Sequence, residues 1–290
     1  MIKFVIPREK TFTRILKCKI LREFVVYPLD QIQEIKDYEV FCGANKRFFL
    51  NNLTKKTTDV GRFKELELGW DEFLDKKQEY QIHDVAVSSG VTSLELLDTL
   101  KKYGIKPRLH ISDKYSAFYI RKNAFCTTVF DANKELLHFY WFGLFASGKE
   151  HPLFFLSKIL FFVLKGILNP TFDEASCEKY SLYHSSVHTA ISAGAITEID
   201  YDIFTGGLSE KFDAVRAMNI INENIFTKEQ LKLAVGNIRN SLKENGLLLV
   251  GITNKSGVNN ASWYRKSNNV FTPIKSLNDG FPHHEIIASS

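Results

Sequence analysis

This sequence predicts an α/β fold with a mostly parallel sheet, on three observations. His83-Asp-Val-Ala-Val-Ser-Ser-Gly90 reads as a buried strand running into a turn of small residues, and Val91-Thr-Ser-Leu-Glu-Leu-Leu97 continues it as a helix with apolar positions at Leu94, Leu97 and Leu100. A second strand, Arg108-Leu-His-Ile-Ser112, ends on Asp113, the place where α/β nucleotide binders hold a ribose by its hydroxyls. A strand–helix–strand unit then returns between Phe212 and Thr253.

Taken in order, residues 1–80 are expected to form a mostly helical cap region. Ile15, Leu16, Ile20, Leu21 and Phe24 fall near helical spacing among Lys3, Arg8, Lys10, Arg14, Lys17, Lys19 and Arg22. Residues 55–61 read as an exposed loop, and Trp70 to Tyr80 as a short polar-faced helix leading into the first strand. An α/β domain then spans 81–290. In its first turn Ala86, Ser88, Ser89 and Gly90 carry almost no side-chain bulk, so a cofactor can approach the backbone.

After the second strand comes an insertion at 119–195, about eighty residues where a bare α/β unit needs far fewer. Its first half predicts a β-hairpin, Phe125–Phe130 and Glu135–Phe142, around Asp131-Ala-Asn-Lys134, good turn material. Its second half predicts an apolar helix over 152–168, opened by Pro152 and stopped before Pro170. His151, Lys158 and Lys165 fall on one stripe of that helix, and most of the remaining circumference is Leu, Ile, Phe or Val. Such a helix belongs in the protein interior, in a dimer interface or on a membrane surface with its lysines reaching for water or phosphate. Seventeen residues reach about 25 Å, short of a bilayer span.

Past the insertion, Phe212 to Ile221 reads as a strand entering a loop. Phe226 to Leu242 reads as an amphipathic helix with Thr227 as N-cap and Gln230 as its capping-box partner. Lys243-Glu-Asn-Gly246 predicts a turn and Leu247 to Thr253 a fully buried strand. Tyr264 to Ile274 predicts the last hairpin, with Ser267-Asn-Asn269 as its turn.

These motifs resemble the class I S-adenosylmethionine-dependent methyltransferases over residues 80–118 and 195–254. "FDAVRAMNII", a helix and "NSLKENGLLLVGIT" look like that family's fourth strand, fifth helix and fifth strand. The resemblance implies a Rossmann-like class I methyltransferase fold: a seven-stranded, mostly parallel sheet with one antiparallel strand, helices on both faces, an N-terminal helical region and a hydrophobic insertion. It implies S-adenosyl-L-methionine as cofactor. Asp84 matches the acid ending the first strand, and Ala86, Ser88 and Gly90 fall on the three glycines, so GxGxG has become A-x-S-x-G around Ser89. Asp113 matches the ribose-binding acid. Asp202 matches the acid that meets the adenine amino group, with Ile203 beside it and Asp200 competing for the role. Arg216 and Asn219 fall where the fourth motif faces the methyl donor.

Methyl transfer needs an aligned nucleophile and, for an alcohol or amine, a proton acceptor. His110, His138, His184, His188, His283 and His284 are the candidates, none with a motif around it. His184 and His188 are spaced i, i+4, which lacks the third ligand a metal site needs. The amine-methylating N/D-P-P-Y signature is absent and Arg216-Ala-Met-Asn219 replaces it, which favours an oxygen acceptor on a small or lipid-like molecule. Two other classes stay open. One is a catalytically inactive scaffold or membrane-apposed binding module on the same fold, and the other a nicotinamide-dependent oxidoreductase.

A net charge of +5, scattered along the chain, does not predict a nucleic-acid partner. Cys18, Cys42, Cys126 and Cys177 form no C-x-x-C pair, so reduced structural thiols are expected. Arg8, Glu9 and Lys10 interrupt the apolar Met1–Ile6 too early for a secretory signal. The expected location is the cytoplasm, with peripheral membrane contact through 152–168.

Overall fold

The computed structural model describes residues 1–46, 59–76, 78–149, 151–208 and 211–289. Of the expected loop at 55–61, residues 55–58 lie outside the described residues. Residues 1–60 carry β1 (Lys3–Val5), α1 (Glu9–Leu16), β2 (Val25–Val26) and α2 (Tyr38–Asn45), and 61–114 carry α3 (Lys64–Glu67), α4 (Trp70–Phe73), β3 (Glu79–Val85), α5 (Val91–Lys102) and β4 (Lys106–Ser112). Then follow β5 (Ala117–Lys122), β6 (Thr127–Phe130), β7 (Leu136–Trp141), β8 (Leu144–Ser147), α6 (Phe155–Leu168) and β9 (Glu178–Ser181). The chain ends with α7 (Ser185–Ser192), β10 (Ile196–Glu198), β11 (Phe212–Met218), α8 (Lys228–Ser241), β12 (Leu242–Thr253), β13 (Asn259–Ser267), β14 (Val270–Leu277) and α9 (His284–Ala288).

The chain folds into two compact units, 1–60 with 115–186, and 61–114 with 187–290. This division differs from the expected 1–80 and 81–290. The N-terminal segment does not stand apart: beside helices α1 to α4 it carries β1, which pairs with β8 of the insertion, and β2, which pairs with β1. Nor is the insertion a lone hairpin with a helix: its strands complete a seven-stranded sheet in the order β2-β1-β8-β7-β6-β5-β9. The expected hairpin is present within it as β6 and β7, antiparallel around the Asp131 turn, where the Asp131 Oδ1 accepts from the backbone N–H of Asn133 and Glu135. A sheet buries both faces when layered on both sides. Phe12 of α1 and Phe41 of α2 pack with Val129, Leu137 and Phe145, whereas Phe161 and Leu164 of α6 pack on Cys126, Phe139 and Ala146.

The second unit is built on a Rossmann-like sheet of order β10-β4-β3-β11-β12-β13-β14. Strands β10, β4, β3, β11 and β12 are parallel, and β13 alone is antiparallel to its neighbours β12 and β14. The predicted closing hairpin is β13–β14, turned at Asn268 and Asn269, both with positive φ (51° and 61°) as a tight two-residue hairpin turn requires. Helices lie on both faces. On one, Leu231, Ala234, Val235 and Ile238 of α8 and Ile286 and Ile287 of α9 pack with Val85, Val215, Ala217, Leu248 and Val250. On the other, Thr92 of α5 and Glu67 of α3 meet Arg216 of β11. Thr227 caps α8 in the predicted box with Gln230. The Lys243–Gly246 turn sits inside β12 as a bulge: Leu242 pairs with Phe212 and Leu247 with Ala214, and Asn245 takes φ 64°.

Candidate cofactor site

Strand β3 delivers the chain to the small-residue turn at the carboxyl edge of the parallel strands, where α/β sheets place ligands. The turn has an unusual backbone. Ala86, Ser88 and Gly90 have φ of 58°, 60° and 73°, so the three positions matching the glycines of the resemblance all take the left-handed region. Gly90 is the N-cap of α5, and a Cβ there would meet Val187 Cγ2 at 3.0 Å. The backbone N–H of Ser88 donates to Asp113 Oδ2 at 2.7 Å, which ties the turn to the end of β4. The hydroxyl oxygens of Ser88 and Ser89 are buried with no hydrogen-bond partner among the described residues. Unpaired buried hydroxyls are costly in a finished interior, so these atoms suit a ligand that supplies the missing bonds.

Asp202 lies at the same edge, after β10. Its Oδ2 accepts from Lys114 Nζ at 2.7 Å and its Oδ1 from the backbone N–H of Phe204 at 2.9 Å. Lys114, beside Asp113, therefore joins the site; the sequence offered it only as the next residue along. Asp200 is exposed, whereas Asp202 is partly buried. Ile203 is buried, packs in the same apolar cluster as Ala86 and accepts from Asn237 Nδ2 through its carbonyl.

Asp84, Arg216 and Asn219 are engaged in contacts within the second unit. In register, Asp84 and Arg216 are paired neighbours on β3 and β11, so both point to one face. Asp84 accepts from Arg216 Nε at 2.9 Å and Nη2 at 2.6 Å and from Ser93 Oγ at 2.5 Å. Arg216 also donates from Nη1 to Glu67 Oε1 at 2.8 Å and from Nη2 to the Thr92 carbonyl at 3.0 Å. Burial, which opposes its charge, is outweighed by the two carboxylates, so the guanidinium is held above its ordinary pKa. Burial raises the Glu67 carboxyl, with Arg216 and Thr99 opposing it. Arg216 thus braces β11 against β3, α3 and α5. Nothing in the sequence marked Glu67 as its partner. Asn219, at φ 63°, donates its backbone N–H to the Gly251 carbonyl and accepts from the Thr253 N–H, pinning the end of β11 to β12.

The candidate proton acceptors are dispersed. His138 and His184 belong to the first unit, where His184 precedes α7 and packs edge-on against Tyr38 and Phe41, so it shares no helical face with His188. His110 meets Gln81 Oε1 at 2.7 Å at the amino edge of the parallel strands. A cavity of about 530 Å³ opens there, lined by Gln81, Lys101, Arg108, His110 and Lys211, away from the small-residue turn. His284 bonds the Tyr264 hydroxyl, and His283 lies 3.3 Å from Glu223. Glu223, His283 and Glu285 bring ligand-type atoms within 4.8 Å of one another at the surface. His83, absent from the sequence candidates, is fully buried with Nε2 2.8 Å from Ser112 Oγ, and burial with neighbouring His110 lowers it to about 3.

No family model and no curated protein matches the chain. Among solved structures, the chain is similar to N-methyltransferase NodS from Bradyrhizobium japonicum in complex with S-adenosylhomocysteine, at 12% identity and a TM-score of 0.33 over 67% of this chain and 61% of that one. It is similar to PH0226 from Pyrococcus horikoshii at 11% identity and 0.35 over 78% and 76%. With PigF bound to S-adenosylhomocysteine the values are 11% and 0.34, over 66% of this chain and 37% of PigF, so the chain spans little more than a third of that protein. Strand order, strand direction and register make the sheet of the second unit Rossmann-like.

Proposed function

We propose that the second unit binds S-adenosylmethionine and transfers its methyl group to a small or lipid-like acceptor, at oxygen in preference to nitrogen. One observation carries the reading: Ala86, Ser88 and Gly90 all hold left-handed backbone at the glycine positions of the resemblance, directly before the α5 N-terminus. A left-handed L-residue costs about 1–2 kcal/mol, and two in one turn persist where the site requires the shape. The bound cofactor would supply an activated methyl group on sulfonium sulfur. The backbone of 88–90 and the Ser88 and Ser89 hydroxyls would border it, Asp113 would take the ribose hydroxyls, and Asp202 with Ile203 would flank the base. Arg216 and Asn219 act at one remove, by fixing the ends of β3, β11 and β12 around the site.

Calorimetric titration of the whole chain with S-adenosylhomocysteine, with NADH as control, tests this. Micromolar binding of the former alone is expected, weakened by about 1.5–3 kcal/mol in Asp113→Ala, the usual loss for a hydrogen bond to a charged group. Absence of binding by folded protein overturns the reading. It would favour an inactive scaffold, to which the Ala86 methyl and Ser88 hydroxymethyl in place of glycine hydrogens already lend support.

A further inference from the structure

We infer that α6 is a membrane-surface helix that lies in the interface of a bilayer bearing anionic headgroups. The helix rests on its own sheet through a narrow stripe: Ser157, whose Oγ accepts from the backbone N–H of Lys3 in β1, with Phe161 and Leu164. Opposite that stripe, Phe155, Leu156, Ile159, Phe162, Val163 and Ile167 stand exposed, Phe162 at 62% and Ile167 at 75%. Isolated exposed apolar residues are ordinary, but six on one face of one helix form a contiguous patch that water does not favour. Sequence alone left three homes for this helix. The exposure removes the interior of its own unit.

Charge chooses the occupant. No Asp or Glu occurs from His151 to Phe172, while Lys158 and Lys165 stand seven residues apart between the buried stripe and the exposed face. With the apolar face down, lysines at that angle reach headgroup level, where ammonium groups snorkel to phosphate. A second copy would bring the same acid-free, lysine-bearing face and leave those cations without partners. The length excludes a span: fourteen residues reach about 21 Å, and no helix among the described residues is long and apolar enough to cross a membrane. The inference is independent of the cofactor proposal.

Flotation of the whole chain with phosphatidylcholine vesicles, with and without phosphatidylserine, is the test, with circular dichroism confirming that each variant folds. Binding is expected only with phosphatidylserine and should fall as salt is added. Lys158→Glu with Lys165→Glu should weaken it by about thirty-fold or more, from roughly 1 kcal/mol per basic residue at an anionic surface. Ile159→Ser with Phe162→Ser, on side chains that touch solvent, should abolish it. No vesicle binding by the parent overturns the inference. Binding indifferent to phosphatidylserine and to the lysines overturns the anionic partner. Concentration-dependent dimerisation lost in the serine variant, without vesicle binding, reassigns the face to a second copy.

Discussion

Arg216 is a full positive charge in the interior of the second unit, and its three nitrogens are all consumed by Asp84, Glu67 and the Thr92 carbonyl. A buried ion pair is weak evidence for stability, since desolvating the charges costs much of what their attraction returns. Breaking it is another matter. Arg216→Ala leaves two buried carboxylates without their cation and is expected to destabilise the unit by about 3–5 kcal/mol, read from urea unfolding midpoints. Replacing all three charges together, Arg216→Met with Asp84→Asn and Glu67→Gln, should recover much of that loss. A single variant near parental stability would mean that the network carries no structural weight. Arg216→Lys is not conservative here, because one ammonium cannot reproduce the bidentate fork on Asp84.

At the scale of elements, the turn between β3 and α5 sets the backbone strain against the residues chosen. If Ala86 and Ser88 are held left-handed by the fold, then Ala86→Gly and Ser88→Gly each relieve a steric cost and should raise stability by about 1 kcal/mol, less the entropy that glycine adds to the unfolded chain. A fall in thermal midpoint for both would contradict left-handed backbone at Ala86 and Ser88. This turn was legible because short side chains between a buried strand and an amphipathic helix leave a pattern within one window. So were α8 with its Thr227–Gln230 box, the hairpin about Asp131 and the one about Asn268, for the same local reason. The sheet of the first unit was not. β1 and β2 are three and two residues long, too short to show a period, and β8, which joins them to the rest of the sheet through β1, lies beyond an intervening segment of the other unit. Likewise the pairing of Arg216 with Asp84 was hidden, because register is a long-range property that no single strand encodes.

For the whole molecule, acidity is the condition to which both units are sensitive through the same kind of group. His83 in the second unit and His138 in the first are each lowered from 6.5 to about 3, by burial first and then by His110 and Lys3 respectively. Unfolded, each titrates near its ordinary value. Between pH 6.5 and 3 the unfolded chain therefore holds a proton at these sites that the folded chain lacks, and stability rises with pH across that window. Acidification reverses it: each histidine withdraws about 1.4 kcal/mol per pH unit, or about 2 kcal/mol between pH 6.5 and 5. Urea midpoints should therefore drop on going from pH 7 to pH 5 and hardly change from pH 7 to pH 8. His138→Gln and His83→Gln, compared with the parent at both pH values, should each flatten the decline even where they lower stability at pH 7. Because the two groups sit in different units, His138→Gln should flatten the transition of the first unit and His83→Gln that of the second, if the two unfold separately. A parent midpoint that stays level from pH 7 to pH 5 would require both imidazoles to accept protons in the folded state, which their surroundings, Tyr201 and Phe212 about His83 and Tyr140 and Phe145 about His138, do not favour.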